Sequence, residues 1–360
     1  MPVLPDPRCF ATSTLDPYGK LSTQVVEAAD ATQRQALLNE LHRELQQALI
    51  AGRDDLLSKL AAEVTSPATG RILWEAIDRA INSPADPNGG LAARVFVLPV
   101  IFVTGGLAEA IVPGILPDAR TIEQTLEAHG ALGPARSFGI NKVLSGESSL
   151  EGFSPSRLYR LLRNLEAGIV DTWSELVPAE IDLESAEESI HLRFVAGLVV
   201  TPAQAPSFLE TAGDIGRWGM PFSRALMAQL GQPGLSLLPL PRPPKGPFQA
   251  LHEGHHAREE VAFQAFASRV LRQHRAGTGE PIVTVAALES DAIGVRVVSS
   301  VDGRRIDTHR WELDALDDLD IISASISSLL EDARVHDIRV LDRVVSDAAF
   351  TAGQEPAAPH

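Results

Sequence analysis

The sequence predicts an α+β protein. A mainly helical N-terminal region with one or two buried strands leads through a Pro-rich connector and a long helix into a C-terminal β-β-β-α-β module. Three observations carry this. Leu37, Leu41, Leu45 and Leu49 recur every four residues, the spacing of one helix face. Two short apolar runs, 94–104 and 189–200, break that pattern and are rich in β-branched residues. After residue 275 the chain turns to strand-like segments around one further helix.

Taken in order, residues 1–20 are rich in Pro, Asp, Ser and Thr and predict a disordered arm. The leucine-striped helix follows, widened by Leu38 and Ile50 and ended by Gly52. A second helix is expected through 54–64 and a third through 69–81. Pro99 interrupts the run 94–104, which still reads as a buried strand. Residues 118–130 form a helix with Asp118 near its start and Gly130 as its stop. Ser154-Pro155 opens another, with serine as N-cap and proline at the first helical position. The run 189–200 is the second strand, and its pairing with the first stays open. A helix ending at Gly231 closes the region.

Six prolines between 231 and 247 make an extended connector, because proline lacks a backbone donor and fixes φ. The long helix occupies 248–275. In the module, Asp302-Gly303 signals a type I′ hairpin between the second and third strands. The expected division is a disordered arm 1–20, a mainly helical domain 21–230, a connector 231–247, a long helix 248–275, an α+β module 276–346 and a disordered tail 347–360. A length of 360 residues suits two domains or one large one, at about 100–200 residues each.

Composition narrows the function. The formal charge is −16, with 16 acidic and seven basic residues beyond position 275. Such a chain repels a phosphate backbone, so no nucleic-acid partner is expected. The lone Cys9 can form neither an internal disulfide nor a cysteine-based zinc site. The longest apolar run, 95–103, is too short to span a bilayer as a helix. No secretory h-region opens the sequence, and the expected compartment is the cytoplasm.

One stretch carries a chemical pattern. His252-Glu253-Gly254-His255-His256 fits H-E-x-x-H. On a helix this puts His252 and His256 on one face as zinc ligands and makes Glu253 the general base for a metal-bound water. Glu259 falls on the same face and is the third candidate ligand. The helical wheel also runs His252, His255, His256 and Glu259 along the apolar stripe of Phe248, Phe263, Phe266 and Val270. Against zinc chemistry stand Gly254, which costs a helix about 1 kcal/mol relative to alanine, and the lack of a further downstream ligand placed as in zinc peptidases, since His274 and His309 fall in a helix end and a strand. A pH-sensitive contact is the milder use of these imidazoles.

Other stretches have plainer readings. The acidic run 312–320 caps the helix it opens. Gly105-Gly106 after the first strand offers amides to an anion, without a P-loop or dinucleotide pattern. Arg157, Arg160 and Arg163 form the solvated face of an amphipathic helix. The leading expectation is a non-enzymatic cytoplasmic interaction, adaptor or assembly protein with a protein partner and no cofactor. The alternative is a metallopeptidase-like, zinc-dependent hydrolase built on 252–256.

Overall fold

The structure is a computed structural model. It describes residues 4–6, 8, 17–54, 57, 66–86, 88–105, 112–131, 135, 137–169, 190–205, 214–238, 241–275, 280–301 and 303–353. It is an α+β protein with ten helices and two four-stranded sheets among the described residues. The chain forms two compact units. The larger comprises Thr12–Thr65 and Thr69–His255, and the smaller Met1–Ala11, Ser66–Ala68 and His256–His360.

The first helices are α1 (Pro17–Glu27), α2 (Ala31–Ile50) and α3 (Pro67–Asn82). Asp30 caps α2 by accepting the Gln33 N–H, and Leu41, Leu45 and Leu49 are buried as their spacing predicts. Ile50 departs from the stripe and is 66 % exposed. The helix expected through 54–64 lies outside the described residues apart from Asp54 and Leu57. Next come β1 (Leu91–Thr104), α4 (Ala119–Ala128), β2 (Ser137–Ser145), α5 (Glu147–Glu151), α6 (Pro155–Glu166), β3 (Ile190–Pro202), α7 (Ile215–Leu230) and β4 (Leu235–Leu237). Their sheet runs in the order β2-β3-β1-β4. β1 and β3, whose pairing the sequence leaves open, are antiparallel neighbours with Val95 opposite Leu198.

The even-numbered residues Phe96, Leu98, Val100 and Phe102 of β1 share one core with Ile122 and Leu126 of α4 and with Trp218, Phe222 and Leu226 of α7. Backbone accounting along the other edge of β1 explains its proline. The N–H groups of Ala93 and Val95 donate to Glu166 Oε1 at 2.9 Å and Asn82 Oδ1 at 2.8 Å. Val97 N–H donates to the Lys245 carbonyl at 2.8 Å. Pro99 is next in that alternation and has no N–H to satisfy, so a buried strand tolerates it there.

The connector is therefore not a free arm. Its residues 235–237 pair with β1 as β4, and Lys245 exchanges two backbone hydrogen bonds with Val97. The exposed donors and acceptors of β1 draw the proline-rich segment onto the sheet. β2 had no sequence signal. Its SFGINKVLS lacks alternation, and its pairing with β3 is bulged between Ile140 and Leu144.

The long helix α8 (Pro247–Arg275) follows. The smaller unit then builds β5 (Pro281–Leu288), β6 (Ala292–Ser299), β7 (Arg305–Glu312), α9 (Leu319–Asp332) and β8 (Asp337–Val340), ordered β7-β6-β5-β8 with β8 parallel to β5. This is the β-β-β-α-β order expected. Phe263, Phe266 and Val270 of α8 share its core with Val283, Val295, Trp311, Ile322 and Ile326. The β6–β7 hairpin exists, but its loop covers 300–304 and is longer than a two-residue turn. Gly303 holds φ +66° there, and Asp302 lies outside the described residues.

In the segments expected to be a disordered arm and tail, the described residues make defined contacts. Leu4 is 3 % exposed within the smaller unit's core, and Arg8 donates to the carbonyls of Asp314 and Asp317 at 2.8 and 2.9 Å. Residues Asp347–Ala352 form α10, capped by Ser346. Phe350 packs with Ala286, Leu288 and Ala292, and Arg296 Nη1 donates to the Phe350 carbonyl at 2.9 Å. Residues 354–360 lie outside the described residues. No helix among the described residues is long and apolar enough to cross a membrane.

Candidate functional site

The H-E-x-x-H residues sit on α8, and apolar contact there falls to the small residues. Gly254 and Ala257 are buried, while His252, His255 and His256 are half-buried. A Cβ on Gly254 would lie 2.9 Å from Phe194 Cε1 and 3.0 Å from both Leu192 δ carbons. Glycine stands in the motif because α8 approaches β3 at that point.

The polar side chains are each engaged. Glu253 Oε1 lies 3.7 Å from Lys245 Nζ. His255 Nε2 lies 3.3 Å from Glu147 Oε2 at the start of α5. The His256 ring lies 5.7 Å from that of Trp311, tilted by 57°, and its Nδ1 is 3.9 Å from Asp317 Oδ1. His252 also has an interaction partner. Glu259 is 7 % exposed. Burial pushes its carboxyl above the ordinary range, against Arg258 Nε at 3.3 Å and the Glu312 N–H at 3.4 Å. Among the described residues no group of three His, Cys, Asp or Glu side chains is placed to hold a metal ion.

The acidic run behaves as a cap. Asp318 accepts the N–H groups of Asp320 and Ile321 at the start of α9, and Asp317 Oδ2 accepts that of Asp314 at 2.8 Å. Of the glycine pair after β1, Gly105 is bonded to the Gly234 carbonyl and Gly106 lies outside the described residues. One arginine of α6 is not solvated. The Arg163 side chain is 15 % exposed and pairs with Glu166 at 3.0 Å. Its guanidinium also donates to the Ser83 carbonyl. Glu166 in turn serves the β1 edge, so this arginine belongs to the fold.

The feature that sequence reading missed is a pocket of about 540 Å³ in the larger unit, along the edge of β1. Glu75, Asp78, Arg79, Asn82 and Ser83 of α3 and its end line one side. Arg94 of β1 and Lys245, Gly246 and Gln249 around the start of α8 line the other. Asp78 organises it. Proline at the first position of α8 has no N–H, and Ala250 bonds back to the Gly246 carbonyl. The two remaining orphan donors, Phe248 and Gln249, reach Asp78 Oδ1 at 3.4 Å and Oδ2 at 3.0 Å. Gly246 cannot cap the helix itself, so a carboxylate from α3 does so. Burial nevertheless pushes the Asp78 carboxyl up to about 7, with the two N–H groups opposing and the Glu75 charge adding to the rise.

Asn82 is 7 % exposed. Its Oδ1 accepts the Val95 N–H, which fixes the orientation of the amide, and its Nδ2 has no hydrogen-bond partner. Beside it, Ser83 Oγ lies 3.1 Å from His42 Nε2 and 2.8 Å from the Arg79 carbonyl. The hydroxyl has one proton. Burial, then Arg79, holds the His42 pKa down and favours the neutral ring. Donation from Nε2 to Ser83 lets the hydroxyl serve the carbonyl and leaves Nδ1 an acceptor. This tautomer makes Ser83 a helix-end cap. It does not activate a nucleophile, and no carboxylate orients Nδ1.

The class defined so far is a two-unit α+β protein with a polar, cation-bearing pocket beside a helix start. No protein-family model, curated protein or solved structure matches the chain.

Proposed function

We propose that this chain is a non-enzymatic interaction protein of the cytoplasm, acting by contact with a protein partner. The supporting observation is the fate of the one catalytic pattern in the sequence. Its general-base candidate Glu253 faces Lys245, and His255 and His256 face Glu147 and Asp317. Each pair lies within one unit and joins the helix to a neighbour there. A zinc-bound water would need a carboxylate turned to the metal and two imidazoles converging on it. The acidic balance, concentrated beyond residue 275, suits a basic protein surface.

Metal analysis of protein purified without a histidine tag tests this reading. The expected result is no stoichiometric zinc and an unfolding midpoint unmoved by a chelator. Zinc near one per chain, lost in His256→Ala, would overturn it in favour of the hydrolase.

A further inference from the structure

We propose that the outer face of the smaller unit's sheet is a docking site for a short helical segment of a partner protein, one with an acidic residue three positions before an aromatic one. Helix α10 fills this site in cis as an autoinhibitory plug. The proposal rests on the contact reading above and gives it a segment to bind.

Alternation along the strands gives this sheet two faces. Val283, Val285, Ile293, Val295 and Val297 share a core with α8 and α9. Ala286, Leu288, Ala292 and Gly294 point the other way, and α10 lies on them. Their small side chains make a floor with room for one ring. A Cβ on Gly294 would lie 2.5 Å from Phe350 Cε1. Phe350 is 4 % exposed there, although its helix has only six residues.

Polar contacts bracket the ring. Asp347 is three residues before Phe350 and so neighbours it on one turn of helix. Its Oδ1 accepts from Ser290 Oγ and from Arg310 Nη1, both at 2.6 Å. Past the ring, the Phe350 carbonyl accepts Arg296 Nη1 at 2.9 Å and the Thr351 carbonyl accepts Arg305 Nη1. These carbonyls belong to the last turn of α10, where the helix dipole is negative. The Arg296 guanidinium also lies 5.3 Å from the centre of the Phe350 ring. Three of the seven basic residues beyond position 275 thus meet on one turn of helix, in the most acidic part of the chain. An acid, a ring and a helix C-terminus are recognised in that order, and any helical segment of the pattern D-x-x-F offers all three.

The contacts of α10 allow it to exchange. Six residues are far fewer than the roughly 12–15 at which a helix begins to stand alone in water, so docking holds it. Among the described residues no strand or helix follows it, and its departure breaks no other element. The Asp347 and Arg310 side chains are 38 % and 43 % exposed, and Arg310 keeps a second partner in Glu312 at 2.6 Å. Such exposed pairs are weak. A partner segment competes with a tethered one, so its apparent affinity is reduced to the fraction of chains in which α10 is away.

The test uses the full chain and a fluorescently labelled peptide of residues 345–353, followed by anisotropy. The native chain is expected to bind the peptide weakly. Ala348→Gly/Ala352→Gly changes two exposed residues, loosens α10 and leaves the site whole. This chain should bind the peptide about tenfold more tightly. Peptides carrying Phe350→Ala or Asp347→Asn should each bind it at least fivefold more weakly than the unchanged peptide does. Failure of the native chain to bind at millimolar peptide would make α10 a fixed part of the fold and overturn the proposal. So would a loosened chain that binds no more tightly than the native one, or indifference to Phe350→Ala in the peptide. Zinc content decides the contact reading and leaves these affinities untouched, so the two can fail separately.

Discussion

The Asp78 carboxylate fills the space that a side chain at Gly246 would need. A Cβ built on Gly246 would lie 2.2 Å from Asp78 Cγ and 2.4 Å from its Oδ2. Both residues are buried, so neither can turn aside. Gly246→Ala is expected to displace the carboxylate from the first amides of α8 and to destabilise the chain by about 2–4 kcal/mol. Chemical denaturation of the variant measures it. In a double-mutant cycle with Asp78→Ala, the added methyl occupies vacated space, so the two costs should fall well short of additive. Additive costs would show that the two residues do not share this volume.

Asp78 also sets a pH dependence. Its folded pKa of about 7 lies above the ordinary 3.8. Between those values the folded chain holds a proton that the unfolded chain releases. Stability from this group is therefore fully present below about pH 4 and falls as pH rises through about 7. The change is on the order of 4 kcal/mol at most. Asp78→Asn cannot titrate. The stability of the variant relative to the native protein should rise steadily from pH 4 to pH 7 and then level off. A constant difference over that range would place the titration elsewhere.

Helix α8 shows how much of this was legible in sequence. Its extent, its Phe248–Val270 stripe and the module after it follow from apolar periodicity, which records what each element buries. Gly254 was legible only as a helix penalty, because the Leu192 and Phe194 side chains that require it are some 60 residues away in the chain. The pocket was illegible for the same reason. Asp78 and Asn82 read as polar residues in an amphipathic helix. Their partners, Gly246, Phe248, Gln249 and Val95, are revealed only by the edge of β1 and the start of α8. Short periodic segments announce themselves. A tertiary cap, which joins a carboxylate to amides 170 residues distant, has no local pattern.

Gly254→Ala sets helix propensity against packing. Alanine gains about 1 kcal/mol in a helix interior. Its methyl would meet Phe194 and Leu192, which are 0 % and 1 % exposed and have no free volume to enter. Overpacking of this kind costs about 1–3 kcal/mol. The net expectation is a loss of about 1 kcal/mol, read as a lowered denaturation midpoint. The truncation Leu192→Ala combined with Gly254→Ala should recover part of it. A stabilised Gly254→Ala would mean that α8 stands further from β3 than these distances place it.

His309 gives the opposite pH signature. Its ring lies 5.1 Å from Phe266 and 5.5 Å from Phe263, and its Nε2 has no hydrogen-bond partner. Burial lowers its pKa from 6.5 to about 4, with the Arg269 charge adding to the fall and Asp307 opposing it. Between pH 4 and 6.5 the unfolded chain takes up a proton that the folded chain refuses. Stability from this group is complete above about pH 6.5 and is lost as pH falls through about 4, by at most about 3 kcal/mol. His309→Leu removes both the titration and the unmet ring nitrogen while keeping apolar contact with the two phenylalanines. The variant should match or exceed the native protein at pH 7 and gain on it progressively down to pH 4, in urea midpoints taken at half-unit steps. Equal acid sensitivity in the two proteins would remove His309 from the acid limb of unfolding.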